Sequence, residues 1–230
     1  MARWTTDWDC GYETSFWYVI KDTPFDISVL KSKRRYEINK GNKNFEVRII
    51  NPKEYIEQII DVTMAAYMGW PEKYRPTVNE EGFRKTDWSK WTVFGGFNRE
   101  DGSLCGYAQL NDQGSYAEFN VLRAKPETEK LAINAAMVAG ILDHYNSRFN
   151  GSFYINDGSR SIRHETAFQD YLEKYFDFRK AYCKLNVKYR LWVDAIVKAM
   201  YPLRKFISPE SRLGSKISGI LKMEEARRSF

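Results

Sequence analysis

The sequence predicts a mixed α/β fold of the α+β kind: a mostly antiparallel sheet covered by helices, with an extra helix and a basic tail at the C-terminal end. Three observations carry this. Three β-rich runs, "WTVFGGFN", "LCGYAQLN" and "SYAEFNVLRA", follow one another with only the turn signals "REDGS" and "DQG" between them, the pattern of an antiparallel meander. Segments of helical period stand on both sides of that meander. The 230 residues are 43% hydrophobic and 16% aromatic, enough to bury a sizeable core.

In chain order, "SFWYVI" is rich in β-formers and predicts a strand. "DTPFDISVLKSKRRYEINKG" reads as a helix capped by Asp26 and stopped at Gly41. "NFEVRII" alternates like a half-buried strand. Asn51-Pro52 supplies a cap and a first-turn proline for a helix whose apolar residues Ile56, Ile59, Ile60, Met64 and Tyr67 recur at helical spacing. That helix stops near Gly69, and a short one is expected up to about Lys90. After the meander, "KPETEKLAINAAMVAGILDHYNSRF" has a proline at its start, acids in its first turn and apolar residues throughout, so it is expected to be the central packed helix. "SFYIND" is then a strand, "HETAFQDYLEKYF" a helix, "RKAYCKLNVKYR" an alternating strand and "LWVDAIVKAM" an amphipathic helix broken at Pro202. The tail from Ser208 is polar and basic with a weak apolar stripe of Ile217, Ile220 and Leu221. The expected organisation is an N-terminal strand and basic helix (1–43), a core (44–190), and a C-terminal helix with basic tail (191–230).

The net charge of +6 is uneven: Arg179 to Phe230 holds 13 Lys or Arg against 4 Asp or Glu. A basic surface of that kind suits an anionic partner, tRNA or an anionic membrane surface, as well as being an ordinary solvated face. No run approaches the ~20 apolar residues of a membrane span, and Met1 to Asp9 lacks an apolar signal core, so a cytoplasmic protein, at most peripheral to a membrane, is expected. Cys10, Cys105 and Cys183 are scattered and form no CxxC, and two histidines with no HExxH give no metal site. GxSxG, P-loop and GxGxxG motifs are missing, which removes the usual serine-hydrolase, P-loop and dinucleotide readings.

Between the strand "SFYIND" and the next helix lies a concentration of hydrogen-bonding residues. Asn156-Asp157-Gly158 reads as a turn, and "SRSIRH" leads into a helix N-terminus capped around His164 to Thr166. Ser159, Arg160, Ser161, Arg163 and His164 would then crowd the positive end of a helix, a sound place for an anion or carbonyl, with Asp157 of the turn as a further substrate-binding candidate. The plainer alternative pairs Asp157 with Arg160 and leaves Ser161 as a cap. His164 and Tyr182 are candidate acids or bases, with structural roles as the alternative.

The order of elements, one strand, two helices, three meander strands, helix, strand, helix, strand, resembles the core of the GNAT acyltransferases. "YLEKYFDF" is similar to a Tyr-Glu-Lys-x-Gly-Phe stretch common in that superfamily, one residue longer and with Asp177 in the glycine's place. "LKSKRRYEINKGNKNFEVRII" resembles the matching unit of the FemABX-type branch, whose members transfer aminoacyl or acyl groups. The resemblance covers about residues 15 to 190. It implies an acyltransferase whose donor is acyl-CoA, a carrier-bound acyl group or an aminoacyl-tRNA, and whose acceptor is an amine or hydroxyl on a small molecule, sugar, lipid or peptide; the alternative is a non-catalytic binding module on the same scaffold that contacts RNA or anionic membrane through the basic C-terminal part. It also implies a base at Glu118, the place of the base glutamate in many GNAT proteins. Strict alternation puts Tyr116, Glu118, Asn120 and Leu122 on one face and Ala117, Phe119, Val121 and Arg123 on the other. Tyr107 and Gln109 of the preceding strand are expected to line the same cleft. One departure matters: where CoA-dependent members carry a glycine-rich turn for the diphosphate, this chain reads "VLRAKPETEKLAINAAM". Pro126 lacks an N–H, and Glu127 and Glu129 repel phosphate.

Overall fold

A computed structural model describes residues 1–162, 167–207 and 212–229. Its strands and helices are β1 (Ala2–Thr6), β2 (Trp17–Lys21), α1 (Ser32–Asn44), β3 (Phe45–Ile49), α2 (Ile56–Met68), α3 (Glu80–Lys85), β4 (Thr92–Asn98), β5 (Leu104–Asp112), β6 (Tyr116–Ala124), α4 (Ile133–Tyr145), β7 (Tyr154–Ser159), α5 (Ala167–Phe176), β8 (Arg179–Tyr182), β9 (Lys184–Lys188), α6 (Leu191–Met200) and α7 (Arg212–Arg228). The architecture is a multi-stranded, mostly antiparallel sheet flanked by helices, with an additional C-terminal helix, α7. The chain forms two compact units. One comprises 1–20, 158–173 and 178–230, the other 21–157 and 174–177.

In the second unit β3, β4, β5 and β6 pair antiparallel in sequence, and β7 joins β6 in parallel. α4 is apolar nearly all round, as a helix buried on every side must be, and nine of its residues from Ile133 to Tyr145 are buried. Glycines let it approach its neighbours: a Cβ at Gly140 would stand 2.6 Å from Val47 Cβ. α2 packs on β5 and β6, and Ile59, Val62, Trp88, Val93, Leu104 and Tyr107 share one buried cluster. Arg148 locks the β5–β6 turn, donating to both carboxylate oxygens of Asp112 (2.5 and 3.1 Å) and to Gly114 O, with its guanidinium 3.9 Å over Phe153.

In the first unit β2 pairs with β8 and β1 with β9, both antiparallel. Phe16, Leu185, Val187, Tyr189, Val197 and Leu221 form its core. α7 brings Glu224 into the protein with no exposed side-chain surface. Burial raises the pKa of that carboxyl, but hydrogen bonds from Arg227 and Arg228 outweigh it and leave the group below its usual value.

Several elements differ from the pattern reading. Asp26 does accept from Ser28 N, but it caps only a turn, Ile27–Val29, and α1 starts at Ser32 and runs through Gly41 to Asn44. Gly41 is a contact residue there, not a stop: a Cβ would lie 2.5 Å from Ala132 O and 2.9 Å from Ala136 N. Asn51 and Pro52 open a turn, with Asn51 Oδ1 accepting from Lys53 N, and α2 begins only at Ile56. The long helix expected from Pro126 splits into a 3₁₀ segment, Pro126–Leu131, and α4, because Ala132 takes a left-handed φ of 66°. Asn156, Asp157 and Gly158 belong to β7, not to a turn. The last alternating run divides at Cys183 into β8 and β9, so that β9 pairs with β1, a strand the pattern reading lacked. The tail forms α7, where only a weak apolar stripe had been legible.

Candidate active site

The site of interest follows from one irregularity. The β5–β6 ladder shifts register between Gln109 and Leu110: Leu110 faces Phe119 whereas Gln109 faces Val121, so Asn120 is an extra residue in β6. A bulge of this kind resets which side chains share a face. Cross-strand partners project to the same side of a sheet, so Tyr107 and Arg123, Gln109 and Val121, and Asn111 and Glu118 all lie on one face. Glu118 and Arg123, which strict alternation separates, are thereby brought to the same side. Tyr107 and Gln109 lie on that side too.

At one end of this face sits a polar cluster under α2. The Tyr107 side chain is 1% exposed, its hydroxyl 2.9 Å from Thr63 Oγ1. Arg123 donates to Tyr107 Oη (3.0 Å) and Tyr67 Oη (2.6 Å). Its guanidinium is half-buried, 4.7 Å over the Tyr67 ring, and forms no ion pair with a carboxylate among the described residues. A fixed cation with neutral partners retains its charge for an incoming anion. Gln109, buried, accepts from Asn120 Nδ2 at 3.1 Å beside the bulge.

Glu118 lies further along the same face, about 14 Å from Arg123 at strand spacing. The residue is half-buried, and its carboxylate has no hydrogen bond or ion pair among the described residues. β7 runs beside it: Tyr116 pairs with Tyr154, their rings stacked at 5.5 Å, and Glu118 pairs with Asn156. Asn156 is buried and donates to Ala117 O at 3.4 Å. The β6–β7 ladder ends at Glu118 and Asn156 while β6 continues to Ala124, leaving its far edge without a β7 partner.

The turn after β6 is exposed at Pro126, Glu127, Glu129 and Lys130, while the start of α4 that follows it is packed. Residues Ile133 and Ala135 at the start of α4 are 0% and 2% exposed, and α1 lies across this end at Gly41. Asn44 Nδ2 reaches Leu131 O, and Thr128 N is used by Lys125 O.

The remaining sequence candidates lie elsewhere. Asp157 is the last residue of 21–157 and half-buried. In the other unit, Ser159 O accepts from Gln169 Nε2 at 3.5 Å. Arg160 donates to Ser15 O at 2.7 Å and lies 4.3 Å over Trp17, which engages its guanidinium in packing. Ser161 is half-buried in the same unit. Tyr182, also there, packs edge-on to Trp17, and its carbonyl accepts from Cys10 N. His164 and the cap around it fall outside the described residues. The sequence reading missed Thr63, Tyr67, Arg123 and Asn156. A single extra residue in a strand has no period of its own, so no pattern pointed to Arg123.

No protein-family model and no curated protein matches the sequence. Solved structures do. The chain aligns with L-PGS from Bacillus licheniformis at 13% identity and a TM-score of 0.50, over 86% of this chain and 69% of that one. It aligns with FemX at 8% identity and a TM-score of 0.52, over 72% of this chain and 59% of that one, so it spans about three fifths of FemX. Likeness at this identity speaks to the backbone and not to the chemistry. What the chain shares with these two structures is the fold.

Proposed function

We propose that the protein is an acyltransferase that moves an acyl or aminoacyl group from an ester or thioester donor to an amine or hydroxyl acceptor, with Glu118 as the base. The observation that carries this is the unpartnered, half-buried carboxylate of Glu118, turned by the Asn120 bulge onto the face that holds Arg123. As the acceptor's N–C or O–C bond forms, Glu118 takes the acceptor proton. When the C–O or C–S bond to the donor breaks, the same proton passes to the leaving oxygen or sulfur, which closes the balance. Arg123 stands too far away to touch the reacting carbonyl and instead anchors an anionic group of one substrate. The open edge of β6 offers backbone N–H groups toward the developing oxyanion.

The chemistry of the turn after β6 favours an ester donor of the aminoacyl-tRNA kind over acyl-CoA, since Pro126 lacks an N–H and the exposed Glu127 and Glu129 would repel a diphosphate there. This reading places the chain nearer the FemABX-type branch. The acceptor belongs to the small-molecule, sugar, lipid or peptide class.

The test is transfer of a radiolabelled aminoacyl group from a mixed aminoacyl-tRNA pool, and of acetyl from acetyl-CoA, to lipid, amino-sugar and peptide acceptors. Glu118→Gln should cost roughly 10²–10⁴ in kcat while the protein stays folded. Arg123→Gln should raise KM with kcat little changed, as loss of uniform binding does. Undiminished transfer by Glu118→Gln would remove the base assignment, and faster transfer from acetyl-CoA would remove the preference for an ester donor.

A further inference from the structure

The surface that stands out lies in the first unit, on α6. Eight of its ten residues are apolar, and the other two, Asp194 and Lys198, are paired at 2.7 Å. Val193, Val197 and Met200 turn into the core with Phe16, Leu185 and Leu221. At 100° per residue, Leu191, Trp192, Ala195, Ile196 and Ala199 fill the opposite arc, and all five are exposed. Leu191 is 91% exposed, Trp192 64% and Ile196 48%, and Leu203, at 57%, extends the patch into the next turn. A helix on a protein surface ordinarily carries its charges there. An apolar solvent face of this size is instead the mark of a surface that gets covered.

Charge indicates what covers it. The first unit holds 16 Lys or Arg against 10 Asp or Glu, and the second holds 20 against 20, so the whole net charge of +6 sits on the unit that carries α6. Lys188 and Arg190, exposed immediately before the helix, have no ion pair among the described residues. An apolar arc with a tryptophan, bordered by free cations, matches a helix lying in the interface of a negatively charged membrane. A second copy of the chain would bring like charges together.

We propose that the outward face of α6 docks on an anionic lipid bilayer, with Leu191, Trp192, Ile196 and Leu203 entering the interface and Lys188 and Arg190 against headgroup phosphates. The proposal stands independently of the acyl-transfer reading, since it concerns residues of the other unit and needs no reaction.

Co-sedimentation of the full chain with vesicles of equal parts phosphatidylglycerol and phosphatidylcholine tests it. Binding is expected at low salt, at least tenfold weaker to pure phosphatidylcholine vesicles. It should fall at least tenfold in Trp192→Glu, while Lys188→Glu with Arg190→Glu should both weaken it and reduce its salt dependence. Should Trp192→Glu lose its circular dichroism, Leu191→Gln carries the same test, because that side chain touches little. Failure to sediment with the anionic vesicles would overturn the proposal. So would unchanged binding by the folded α6 variants, or a lipid-free dimer that they abolish.

Discussion

Replacing Gly41 by alanine tests the seating of α1 on the start of α4. In an exposed helix the change would stabilise by about 1 kcal/mol, the difference in helix propensity. Here the new Cβ would meet Ala132 O at 2.5 Å and Ala136 N at 2.9 Å, where ordinary contact begins at 3.4 Å. Both atoms are backbone and cannot rotate away, so the two helices must part by roughly 1 Å, which forfeits a quarter to a half of the dispersion attraction across that seam. The seam is dry: Ile38, Ile133 and Ala136 are at most 1% exposed. Overpacking of a filled interior costs about 1–3 kcal/mol, and backbone atoms put this case at the upper end. Less the propensity gain, a net loss of about 2 kcal/mol is expected, or roughly 4–8 °C in Tm for a chain of this size. Urea and thermal unfolding followed by circular dichroism would measure it. A variant as stable as the parent, or more stable, would mean that α1 does not pack against the start of α4 as closely as these contacts require.

Two further outcomes concern stability. Asp112 is held below its usual pKa of 3.8 chiefly by hydrogen bonds from Arg148, against an opposing effect of burial. A depressed carboxyl stabilises fully above its unfolded value and loses that contribution as pH falls through the folded value. Thermal midpoints should therefore drop steeply below about pH 4 and do so less in Asp112→Asn; parallel acid limbs would show that the Arg148 contact contributes nothing. Asp177 has a left-handed φ of 58°, and its carboxylate lies 3.2 Å from the ammonium of Lys21, a side chain only 2% exposed. Asp177→Gly should relieve about 1 kcal/mol of backbone strain yet lose somewhat more from the buried cation, a small net destabilisation. A raised urea midpoint would show that the pair with Lys21 adds nothing.

The sequence by itself determined the kinds of element and their order. Period two in "NFEVRII" and the meander, turn residues at "REDGS" and "DQG", and the all-apolar run that became α4 are local properties, and local properties survive into any fold that buries them. The glycine-free, acidic turn after β6 was legible for the same reason. Only the tertiary structure decided the rest. Gly41 reads as a helix stop until α4 is seen against it. Asp177 sits at a left-handed φ that favours glycine, and only the fold shows that Lys21, 156 residues away, faces its carboxylate. The extra residue at Asn120 is defined by a partner strand, so the alternation that placed Glu118 and Arg123 on opposite faces could not reveal that they share one. α6 shows the same limit: its apolar residues were visible, but which of them the core of its unit would take and which it would leave in water depends on packing that no single segment encodes.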